Sequence, residues 1–296
     1  MKLDVKIQSS PVVIGGLGGS GTTIGARLLI ELGVFMGDDL NKKNDNLWFT
    51  FLFKRPKWFL SGALRREKEI DRLFGIFTKA MTGSSLNVPE IFLVFLVAFR
   101  SIITSERPVG GPIIPWALRR AFGICFSKKH ELSRSSRWGW KEPNSYIYLK
   151  FLAENYKNIK YIHVIRNGLD MAYSKNQNQL KNWGLLFGIN EAEIQRSLPG
   201  ASLKYWIAAN RKTIEMAKDL PKNNFSLLNY DMLCSDPMAE ISKLINFLGI
   251  EADKEKLMSL AGLITPPASI GRYCNKEMSV FCPEDLEAVR AFGFKV

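Results

Sequence analysis

Two clusters in this sequence carry chemistry suited to an anion. Gly16-Leu-Gly-Gly-Ser-Gly-Thr-Thr23 follows the apolar run Pro11 to Gly15 and leads into Thr22 to Leu32, whose apolar spacing suits a helix. A glycine turn between a strand and a helix leaves backbone N–H groups free and aims the helix dipole at them, which is the geometry of a phosphate cradle. The second cluster, Arg166-x3-Asp170-x3-Ser174, follows Lys160 to Ile165, the clearest buried strand in the chain. Arginine offers a planar fork of donors matched to phosphate oxygens, and serine adds a neutral hydroxyl. Spacing by four puts 166, 170 and 174 on one face of a helix starting near the strand end, and that helix is expected to carry Met171 to Leu180. Asp170 reads as a cap or as the partner that orients Arg166.

The turn keeps the spacing of a nucleoside triphosphate loop but not its chemistry. Such a loop is Gly-x4-Gly-Lys-Ser/Thr, its lysine reaching the outer phosphates, and here Thr22 follows Gly21. An ATP- or GTP-dependent kinase is therefore disfavoured. Taken alone, the turn is equally compatible with an ordinary tight connection or a dinucleotide fingerprint.

The two clusters, in this order and more than a hundred residues apart, resemble the sulfotransferases that use 3′-phosphoadenosine 5′-phosphosulfate (PAPS). The family's first loop is typically an apolar strand followed by Gly-x-x-(Arg or Lys)-Ser-Gly-Thr-Thr. The resemblance implies that Gly18, Gly19, Ser20, Gly21, Thr22 and Thr23 line the 5′-phosphosulfate site. Gly19 departs from the pattern, standing where the family usually has a basic residue. The same resemblance assigns Arg166 and Ser174 to the 3′-phosphate. Leu228-Asn-Tyr-Asp-Met-Leu-Cys-Ser-Asp-Pro237 is similar to a later family segment and makes Tyr230 the candidate for stacking near adenine, beside the reading of a core tyrosine. Ser269-Ile-Gly-Arg-Tyr273 resembles the late loop that closes over the cofactor and nominates Arg272 for the 3′-phosphate.

Sulfuryl transfer needs in-line placement, neutralisation of the departing phosphate and a base for the incoming hydroxyl or amine. Asp39 and Asp38 stand where glutamate-using relatives place acidic residues, and Glu142 is a competing base. Lys141, in Lys-Glu-Pro, resembles a family lysine and is expected to neutralise the bridging oxygen in place of the residue missing at Gly19. His163 lies inside the buried strand and His130 in a surface-like Lys-Lys-His-Glu run, so neither is favoured. No metal is expected. Two alternatives stay open: an atypical P-loop nucleotide kinase, and a protein that binds PAPS or its product with impaired catalysis.

The elements that must position these groups alternate strand and helix, which argues for an α/β domain with a central, mostly parallel sheet flanked by helices. The resemblance makes it P-loop NTPase-like, of sulfotransferase type: one domain over 1–296, with a helical insertion at about 46–130 that contacts the acceptor. Val34-Phe-Met36 is expected to start a strand, Arg137 to Lys141 and Phe225 to Leu228 to form two more, and Ser145 to Tyr156 a helix. Asp236 is expected to cap a helix with Pro237 at its first position.

Hydrophobic residues make up 46% of the chain and charged residues 23%, which excludes global disorder. A formal charge of +13 favours anionic partners, but no nucleic-acid motif accompanies it. Cys125, Cys234, Cys274 and Cys282 are widely spaced and form neither a zinc module nor a disulfide framework. The most apolar stretch, Ile91 to Phe99, is too short to span a bilayer and reads as a buried helix or an interfacial one. Without a secretory leader pattern the default location is cytoplasmic. The acceptor is a small molecule, a glycan or a lipid, and peripheral membrane contact is compatible with the sequence.

Overall fold

The computed structural model describes residues 10–62, 66–104, 112–127 and 137–296. Among them runs a parallel sheet of four strands, β1 (Val12–Gly16), β2 (Gly139–Lys141), β3 (Lys160–Ile165) and β4 (Phe225–Asn229), in the order β2-β1-β3-β4. Ile14 of β1 lies opposite Lys141 of β2 and Ile162 of β3, so residues in this row share a face. The central strands are mostly apolar, with His163 a buried exception in β3, because helices cover both faces. Val12, Ile14, Ile162 and Val164 pack with the helices Thr22–Glu31 and Pro237–Leu248. Val13, Trp140 and Tyr161 belong to the larger core on the other face.

Much of that larger core comes from the helices expected between 46 and 130: Leu47–Phe53, Pro56–Leu60, Glu67–Thr82, Val88–Thr104 and Ile113–Cys125. Asn46 starts the first of them, its side chain accepting from the Phe49 N–H at 2.9 Å. Phe49 then stacks on Trp140 of β2 with ring centroids 5.6 Å apart and meets Phe77 edge-on at 5.5 Å. The layer is thus rooted on the sheet through aromatic contacts, which are worth about 0.5–1.5 kcal/mol each beyond area burial. Helix Val88–Thr104 is buried on one side only, at Val94, Val97, Ala98 and Ser101. No helix among the described residues is long and apolar enough to cross a membrane.

Three local expectations need correction. Val34 to Met36 does not form a strand: Phe35 makes a single bridge to Trp138, because the chain bends away into the 37–46 loop. Ser145 to Tyr156 is not one helix but a 3₁₀ turn, Pro143–Tyr148, followed by the helix Leu149–Asn155. The helix expected over 171–180 is broken into Gly168–Ala172 and Asn178–Trp183. The Gln177 amide donates to the carbonyls of Met171, Ala172 and Ser174, terminating the first helix. The cap at Asp236 forms as expected, accepting from the Ala239 N–H at 3.1 Å, with Pro237 at the first helical position.

Candidate functional site

The glycine turn sits at the end of β1, where Gly19 has φ +99° and Gly21 has φ +97°. These left-handed angles favour glycine and set the tight curl of the turn. Gly21 caps the helix Thr22–Glu31 without any side-chain acceptor, and no acidic residue occupies its first turn. The Ser20 hydroxyl is buried and has no partner among the described residues. An unpaired buried donor costs about 1–3 kcal/mol, so this arrangement suits an oxygen-rich ligand. Thr22 is buried beside it, whereas Thr23 is exposed.

Two donors of the turn are already engaged, the Ser20 N–H by the Leu17 carbonyl at 3.0 Å and the Gly18 N–H by Gln179. The Gly18 N–H donates to Gln179 Oε1 at 2.5 Å, and Gln179 Nε2 donates to Asn144 Oδ1 at 2.8 Å. Asn144 in turn donates to the Glu142 carboxylate, from its backbone at 2.7 Å and from its side chain at 2.9 Å. Lys54 lies 3.6 Å from the same carboxylate. This chain of polar groups ties the glycine turn to the end of β2. Gln179 and Asn144 carry no motif, and only tertiary contact reveals them.

Arg166 leaves the end of β3 and binds the two neighbouring loops together. It donates to the Gly19 carbonyl at 3.4 Å, to the Ser269 carbonyl at 2.6 Å and to Asp170 at 3.2 Å. Its guanidinium carbon lies 5.5 Å from the centre of the Tyr230 ring, and its Nε is buried without a partner among the described residues. Asp170 also accepts from the Gly271 N–H at 2.9 Å and the Tyr273 N–H at 3.4 Å, which holds the late loop against this point. Arg272 on that loop has its pKa lowered by burial and then by the neighbouring Arg166 cation. Two arginines thus share one locality. Ser174 lies within the helix break, not on a helix face shared with Arg166 and Asp170, and its hydroxyl accepts from the Asn176 N–H at 3.2 Å.

Tyr230 joins the half-sites. A methyl group on Gly21 would meet its ring at 2.1 Å, so the ring rests directly on the glycine turn. Burial, with Cys234 beside it, pushes its hydroxyl pKa up to about 12.

The acid and base candidates fall in different places. Asp39 is ion-paired with Arg120 at 3.3 Å, while Asp38 is exposed. Glu142 is fully buried, and burial raises its pKa against the opposing pull of Lys54 and Asn144. The Lys141 ammonium is buried against Asp45 and donates to the Lys43 carbonyl at 3.0 Å; burial lowers its pKa and Asp45 opposes that. Asp45 was not singled out from the sequence. His163 is a core residue bonded to Asn210 at 2.8 Å, and burial lowers its pKa to about 4. His130 lies outside the described residues. No cluster of potential metal ligands occurs among the described residues.

This geometry can be set beside known proteins. The sulfotransferase family model matches residues 11–254, and the chain therefore belongs to that family and is a transferase by class. The sulfotransferase domain of the Synechococcus PCC 7002 olefin synthase is 16% identical, with a TM-score of 0.50 over 100% of this chain and 98% of that one. Sulfotransferase STF9 from Mycobacterium avium is 12% identical, with a TM-score of 0.49 over 97% of this chain and 77% of that one. At 16% identity the first of these likenesses bears on the fold alone. Among curated proteins none matches.

Proposed function

We propose that the protein transfers a sulfuryl group from PAPS to a hydroxyl or amine acceptor. The observation that supports the reading is the position of Arg166, hydrogen-bonded at once to the glycine turn and to the late loop, which brings the two segments assigned to the anions next to each other. The residues fit such a donor: Ser20 Oγ and Arg166 Nε are buried donors without partners among the described residues. PAPS supplies an activated sulfuryl group on a phosphate that can depart. The N–H groups of the turn, with Ser20, Thr22 and Thr23, would hold the 5′-phosphosulfate. Arg166 and Arg272, with Ser174, would hold the 3′-phosphate. Tyr230, lying between them, would meet the adenosine.

Asp39 is the base we assign to the acceptor proton. Its pairing with Arg120 fixes its direction. Glu142 is better suited to support, since its oxygens are committed to Asn144 and Lys54. Lys141 is compensated by Asp45, so most of the neutralisation at the departing phosphate falls to backbone donors and Ser20. Gly19 also leaves room for a second reading, a protein that binds the nucleotide with little turnover.

Calorimetry with adenosine 3′,5′-bisphosphate against ADP tests the assignment. The wild-type protein should prefer the former. Arg166→Lys should weaken that ligand by about 1.5–3 kcal/mol, roughly tenfold to a hundredfold or more, while changing ADP far less. No preference in the wild type, or an unchanged preference in Arg166→Lys, would refute it.

A further inference from the structure

The helices Val88–Thr104 and Ile113–Cys125 bury one face in the core and leave the other uncovered among the described residues. Phe95 of the first meets Phe122 of the second edge-on at 5.4 Å, so their outer faces adjoin. On that joint surface Phe92 is 70%, Phe99 60%, Ile103 65% and Phe122 50% exposed, and Phe126, stacked beyond Phe122, is 71% exposed. Singly exposed apolar residues are ordinary; five large ones on adjoining helices mark an interaction surface.

The charges around the surface select the partner. Arg100 and Arg119 are exposed on the same two helices; Arg100 pairs with Glu69 at 3.2 Å, and the one carboxylate of the two helices, Glu90, is neutralised by Lys79 at 2.7 Å, which leaves Arg119 as the cation of the face itself. Lys128 and Lys129 follow Phe126 closely in sequence, in a chain of net charge +13. A second copy of the same face would oppose arginine to arginine. An anionic lipid surface matches both features, taking the aromatic side chains into its acyl boundary and the cations at its headgroups.

We propose that this helical pair docks the protein on an anionic phospholipid bilayer and that the acceptor is carried by a lipid in that surface. The clause about the acceptor rests on the transferase reading above, because Arg120, on the inner side of Ile113–Cys125, holds the Asp39 assigned there as base. The same helix faces the bilayer with Leu118 and Phe122 and faces the site with Arg120. A headgroup standing out of the bilayer beside the helix would meet the cleft without the lipid leaving the membrane.

Flotation of the full chain with phosphatidylcholine vesicles, with and without phosphatidylserine, tests the docking without any nucleotide. The wild-type protein should float with the anionic vesicles and lose binding as salt rises. Phe92→Ser with Phe126→Ser should weaken that binding about tenfold or more, and Arg119→Glu should weaken it also. Neither site is buried, and unchanged melting would certify the fold. Failure of the wild-type protein to bind anionic vesicles, equal binding to neutral ones, or variants that bind as well as wild type would overturn the proposal. So would a dimer that the double variant dissociates, since a second copy would then cover the face. Calorimetry with adenosine 3′,5′-bisphosphate on the same variants separates the two proposals: it should be unchanged whichever way flotation falls.

Discussion

The end of the sheet and the helical layer over residues 47–125 are built on different principles. At the sheet end, position is set by directional polar contacts: Arg166 reaches two loops, Asp170 gathers the late loop, and Gln179 fixes Gly18. In the helical layer it is set by rings, with Phe53 against Phe74 at 4.4 Å and Phe49 against Trp140 at 5.6 Å. Polar geometry tolerates little substitution, whereas an aromatic layer keeps its shape through exchanges that conserve volume. On the function proposed above, one half would stay committed to one donor while the other could adapt to an acceptor.

The comparison breaks hardest at the aromatic layer. Phe53→Ala removes a fully buried ring and should cost about 3–5 kcal/mol in urea unfolding, yet leave nucleotide affinity in the folded protein within a few-fold of wild type. A large loss of affinity would show that the halves are not separable. Gly21→Ala should do the reverse. Its Cβ would collide with Tyr230, displacing the ring or the turn, and affinity for adenosine 3′,5′-bisphosphate should fall about a hundredfold. An unchanged calorimetric isotherm would remove the turn from the site.

A smaller effect sharpens the distinction inside the sheet itself. His163 has a pKa lowered from 6.5 to about 4 by burial, so the folded state resists a proton that the unfolded chain accepts. The stability it contributes is present above about pH 6.5 and is lost as pH falls toward 4. Between roughly pH 8 and 5 the loss should be about 2 kcal/mol, and His163→Gln should flatten that part of the profile. A profile unaltered by the substitution would mean that the imidazole is accessible to protons.

Legibility in the sequence follows the same division. The glycine turn, β3 with its terminal arginine and the Asp236-Pro237 helix start were readable because each is a local pattern with a local cause. The break at Tyr173 to Gln177 was not, since it depends on one amide collecting three carbonyls, a contact that periodicity does not encode. Nor was the pairing of Lys141 with Asp45 or the relay from Gly18 through Gln179 and Asn144 to Glu142, which join residues distant along the chain. The helices of the aromatic layer could be read as helices, but not which side they would leave bare.

Asp170 has one more consequence, for the opening of the late loop. Swinging the segment 269–273 outward would strip this carboxylate of two backbone donors, each worth about 1.5–3 kcal/mol to a charged acceptor. An open form of that segment would then be populated on the order of a hundredfold or more below the shut one. The late loop is thus held mostly shut, and on the function proposed above spent nucleotide would leave past it only through this minor form.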